Sequence, residues 1–103
     1  MVKNGMRPIH PGEILREEFL VPLGIQPDML AAALGVAVIR VSEIVHETQD
    51  ISPEIALRLA RYLNTMPEFW LDLQSAFELR KAEQQFGAII DEEVQPLTLS
   101  VES

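Results

Sequence analysis

Cysteine is absent from the chain, so neither a disulfide framework nor a thiolate metal site can hold it together, and stability must come from packing or association. Apolar runs of the roughly 18–20 residues needed to span a bilayer are missing too. The start, Met1-Val2-Lys3-Asn4-Gly5-Met6-Arg7-Pro8, lacks the apolar stretch of a signal peptide. A cytoplasmic protein with no membrane partner is expected. Cations are scarce: eight Lys and Arg stand against sixteen Asp and Glu, a net charge of −8. The deficit is spread along the chain. Residues 78–103 carry Glu78, Glu83, Asp91, Glu92, Glu93 and Glu102 against Arg80 and Lys81, and the part before them is equally acidic. Phosphate contacts supply most of the affinity for DNA, so DNA binding is expected to be weak, steeply salt-dependent or reliant on dimerisation. An acidic surface suits a basic protein partner.

Runs of alternating β-branched residues are lacking before the tail, whereas helix start and stop signals are plentiful. With 103 residues, the chain has room for one domain with a modest core. The punctuation predicts an all-α domain with helices over about 11–21, 27–34, 37–45, 53–64 and 67–85, followed by a tail over 86–103. Pro11 can occupy a first helical position, with His10 beside it, and Pro22 and Gly24 are read as the stop. Leu15 and Phe19 form an i,i+4 apolar pair, with Glu13, Glu17 and Glu18 toward solvent. Ser52-Pro53-Glu54 opens the fourth helix with a serine N-cap, and Asn64 closes it. Thr65-Met66-Pro67-Glu68 reads as a capping box with Thr65 as N-cap. Phe69, Trp70 and Phe77 recur at helical spacing and are expected in the core, while Gly87 and Pro96 are read as breakers.

The second and third helices meet the steric demands of a helix-turn-helix. Leu30, Leu34, Val36, Val41 and Ile44 fill its apolar positions, Ala31 is small where the helices cross, and Gly35 allows the sharp turn. The sequence resembles the HigA-type antitoxins, also called VapI-like, within the Xre/Cro/CI group. The resemblance rests on His10-Pro11-Gly12-Glu13-Ile14-Leu15, Glu17-Glu18-Phe19-Leu20, Pro22-Leu23-Gly24, Leu34-Gly35-Val36, Ile51-Ser52-Pro53-Glu54, Ala56-Leu57-Arg58-Leu59-Ala60 and Pro67-Glu68-Phe69-Trp70-Leu71-Asp72-Leu73-Gln74. It implies a five-helix Xre/lambda-repressor-like domain with a C-terminal tail. It also implies an antitoxin that binds a basic toxin similar to the HigB mRNA endonucleases and represses its own operon as a homodimer on double-stranded operator DNA.

A recognition helix here presents Ala37, Val38, Ile39, Arg40, Ser42, Glu43 and His46 to base edges. This set departs from the family pattern. Ala37 replaces the usual hydroxyl cap, Glu43 puts an anion where a cation is usual, and His46-Glu47 stands in place of Asn-Gly. Arg40 is the sole full cation on the helix, with Lys3 and Arg7 as further candidates. Glu43 can accept from a cytosine amino group, and Ala37, Val38 or Ile39 can meet thymine methyls. Val38 and Ile39 can instead pack in a dimer or against a toxin. Three functions stay open: an antitoxin binding toxin and DNA, a solitary Xre-type regulator, and an interaction module whose DNA binding is weakened or lost.

The two histidines lie far apart in sequence, without an obvious ligand set around either, so no metal is expected, and the sequence calls for no other cofactor. Asp91-Glu92-Glu93 reads as a solvated charge run, and without a nucleophile elbow or phosphate loop no catalysis is expected. Leu97-Thr98-Leu99-Ser100-Val101 alternates as a strand would, for docking on a partner sheet or a two-fold mate, or else lies in a disordered tail.

Overall fold

Residues 7–98 are described in this computed structural model, and they contain five helices. The first, α1, runs over 11–23, with a π-helical stretch at Leu15–Leu20 between α-helical turns. Pro22 does not stop it, contrary to expectation. In a regular α-helix the Pro22 ring would meet the carbonyl four residues back. The wider π turn, in which Val21 N–H donates to the Arg16 carbonyl, accommodates it. The true stop is Gly24, at φ 68°.

Helix α2 (Pro27–Leu34) ends at Gly35, whose φ of 75° suits glycine. Helix α3 (Val38–Val45) follows after a turn of three residues, with Ala37 as N-cap. Helix α4 (Pro53–Leu63) starts on Ser52, which accepts from Ile55 N–H, and ends on left-handed Asn64. Helix α5 (Pro67–Glu93) has Met66 as its N-cap, not Thr65. The capping box fails because the Thr65 hydroxyl accepts from the Trp70 indole N–H at 2.8 Å. A buried indole donor needs a partner, and this one outweighs a cap.

Helix α5 also corrects the expected boundary at residue 85, since it runs eight residues further, through Gly87. One glycine costs only about 1 kcal/mol relative to alanine in a helix. Here it is flanked by good helix formers. The end comes at Glu93 because Pro96 disfavours the α conformation in the residue before it. Beyond it, residues 94–98 have no regular structure; of the expected strand Leu97–Val101, Leu97 and Thr98 are not a strand, and Leu99, Ser100 and Val101 lie outside the described residues.

Trp70, Leu15, Leu30, Leu59 and Val41 are the largest fully buried side chains. They join Leu34, Ile44, Val45, Ile51, Ile55 and Ala56 in one core. Phe19 packs against that core, its ring centroid 5.2 Å from Trp70. Phe69 stays partly exposed, so the aromatic core centres on Trp70 rather than on the expected trio. Gly12 brings the start of α1 against the end of α3: a Cβ there would overlap the Ile44 carbonyl.

Candidate nucleic-acid interface

The packed α2–α3 pair buries Leu30, Ala31 and Leu34 from one helix and Val41, Ile44 and Val45 from the other. That leaves the opposite face of α3 at the surface. Ala37, Val38, Ile39 and His46 are exposed, and Arg40, Ser42 and Glu43 are half-buried, so all seven sequence-predicted positions share that outer side or its edge. No acid lies in the first turn of α3 and no side chain caps it, so its positive end carries no carboxylate of its own.

Several polar side chains on this face are engaged within the protein. Arg40 Nη2 lies 3.2 Å from Glu54 Oε1, while Arg58 holds the other oxygen of the same carboxylate at 3.0 Å. Hydrogen bonding to Arg40, then to Arg58, lowers the Glu54 carboxyl below its ordinary value. The sole cation of the recognition helix is therefore engaged within the protein, sharing one carboxylate with Arg58. The His46 ring turns back on its own helix, Nδ1 lying 2.8 Å from the Ser42 carbonyl oxygen and 3.3 Å from Ser42 Oγ. Arg7 pairs with Glu13 at 2.7 Å, and Lys3 lies outside the described residues.

The placement of α3 depends on residues that the sequence reading did not single out for this role. The Arg16 guanidinium donates to the Val45 carbonyl at the end of α3 and pairs with Glu47 at 3.2 Å. Glu47 has a left-handed backbone, φ 65°, where the family pattern puts the glycine of Asn-Gly. Its ion pair with Arg16 helps hold a conformation that side chains disfavour. Arg58 Nη1 donates to the Leu34 carbonyl at 2.8 Å, closing the end of α2. Both arginines put a cation at the negative end of a helix.

The segment after α3 is tied down as well. Gln74, buried on α5, accepts from Ile51 N–H at 2.8 Å. His10, only 3% exposed, accepts from Gly12 N–H through Nδ1 at 2.8 Å, an N-cap role the sequence suggested only as position. Its Nε2 lies 3.9 Å from Asp50, and its ring packs edge-on to Phe77. Burial pushes its pKa below the ordinary 6.5, against the opposing influence of Glu47 and Asp50. Helices α1 and α5 thus act as a frame for the recognition helix.

The helix-turn-helix family profile matches residues 15–71. Virulence-associated protein I of Dichelobacter nodosus is 50% identical over 87 residues, 84% of this chain and 81% of the relative. Antitoxin HigA-1 of Vibrio cholerae is 38% identical over 105 residues, covering 99% and 95% of the two. Among solved structures, antitoxin GraA in complex with its operator superposes with a TM-score of 0.86 at 56% identity, covering 96% of this chain and all of that one.

Proposed function

The chain belongs to the HigA/VapI-type helix-turn-helix family, and from that premise we propose that it is the antitoxin of a type II toxin–antitoxin module. In this reading it binds operator DNA as a homodimeric repressor and neutralises a small basic toxin similar to the HigB mRNA endonucleases. No helix among the described residues is long and apolar enough to cross a membrane, and its place of action is the cytoplasm, beside the DNA.

The recognition helix carries this reading. Helix α3 presents Ala37, Val38, Ile39 and His46 to solvent on a framework shared with an antitoxin solved on its operator. The bases are expected to meet Ala37, Val38, Ile39, Arg40, Ser42, Glu43 and His46, as the first turn and outer face of a helix in the major groove do. Dimerisation fits α5 from its middle onward, where Leu79, Phe86 and Ile90 are exposed and recur seven and four residues apart on one helical face.

Co-expression with an adjacent reading frame that encodes a short basic protein tests the antitoxin assignment. A stable complex with a basic protein, and loss of that protein's growth inhibition, is expected. If the two proteins fail to associate, the solitary-regulator reading takes its place. One observation favours a second reading, an interaction module with reduced DNA affinity: Arg40 is already paired with Glu54, which leaves the helix a thin electrostatic footprint.

A further inference from the structure

Three polar side chains of the recognition helix are engaged within the protein, while its most exposed first-turn side chains are apolar. Arg40 is held by Glu54, and Ser42 and His46 are held together. Val38 and Ile39 are 50% and 61% exposed, side by side in the first turn of α3. Both are β-branched, so in a helix each is confined largely to one χ1 rotamer and presents a rigid methyl surface. That first turn is the part of a recognition helix that reaches base edges.

In the major groove the apolar group on a base edge is the thymine C5 methyl, while the other edges carry hydrogen-bonding atoms. An aliphatic pair pressed on a cytosine amino group or a guanine edge would strip water from those atoms and return no hydrogen bond, which is costly. On a thymine methyl, the same pair gains apolar contact on both sides.

Resting on the DNA-binding reading above, we infer that Val38 and Ile39 are specificity-determining residues that select the operator through thymine methyl groups. Each half-site therefore carries thymines where the first turn of α3 enters the groove. Recognition there is by shape and methyl contact, and Arg40, Ser42 and His46 contribute little base selection.

The test uses the full chain and a duplex from upstream of its own gene, with each thymine replaced in turn by uracil, which pairs identically but lacks the methyl. At one or more thymines per half-site, uracil should weaken binding about threefold to fivefold, the effect of losing one methyl contact. The variants Val38→Ala and Ile39→Ala, both at exposed positions, should bind natural and uracil duplexes with a smaller difference than the unmodified chain does. Tight binding of the natural duplex with no uracil penalty anywhere would overturn the inference and leave the DNA-binding reading standing. A uracil penalty unchanged in both variants would also overturn it, by assigning the methyl contact to other residues. Failure to bind the natural duplex at low salt would remove the DNA-binding reading and this inference with it.

Discussion

Single residues set the position of the recognition helix with little tolerance. Gly12 is the sharpest case, because its missing side chain lets α1 meet the Ile44 carbonyl. Gly12→Ala is expected to cost about 2 kcal/mol or more through overpacking, seen as a drop in Tm of roughly 10 °C for a domain of this size. A Tm within a degree of the unmodified chain would contradict the close approach. His10 is the second case. Its pKa is lowered in the folded chain by burial, so the unfolded chain takes up a proton first as pH falls. Stability is therefore full above the ordinary histidine range and declines as pH drops through it toward the lower folded value. His10→Asn keeps an acceptor for the cap but does not titrate there. Its Tm should vary less between about pH 7 and pH 5 than that of the unmodified chain; equal slopes would exclude the effect. His10 was legible from sequence as a residue at a helix start, but its neighbour's close packing was not. A glycine one step inside a helix carries no sign of what it faces.

Helices were legible where a local signal had no rival and misread where a tertiary contact competed. Gly35 and Asn64 stop α2 and α4 in left-handed conformations, as their residue types suggest. Thr65 has the sequence of a cap but serves the Trp70 indole, a demand visible only once α5 is folded. Pro22 and Gly87 look like breakers, yet a π turn absorbs one and the surrounding helix tolerates the other. The positions on the reading face were legible from helical spacing, whereas their engagement was not, because Glu54 reaches Arg40 from a separate helix. That pair yields an element-scale prediction. Glu54→Gln removes one anion and releases Arg40 toward phosphate, so operator binding should tighten and its salt dependence steepen by about one counterion. Salt titrations of the two proteins on one duplex check this, and identical slopes would show that the pair already opens on DNA or that Arg40 makes no phosphate contact.

The whole molecule combines an acidic chain with a fold that serves DNA recognition in a relative. These features are compatible if affinity comes from two copies acting together and from shape and apolar contact more than from charge. The stretch of α5 from Leu79 onward, whose exposed Leu79, Phe86 and Ile90 lie away from the helix-turn-helix in sequence, supplies the surface proposed for the second copy. Introducing Asp at both Phe86 and Ile90 should convert a dimer to a monomer by light scattering and weaken operator binding with it. A dimer that survives both substitutions would place the two-fold contact elsewhere. The most direct measurement of the DNA-binding role is a gel-shift titration of the full chain against the duplex upstream of its own gene, from about 50 to 200 mM salt. A discrete complex, tighter than on an unrelated duplex and weakening only modestly as salt rises, is the predicted result; equal affinity for the two duplexes at the lowest salt would contradict it.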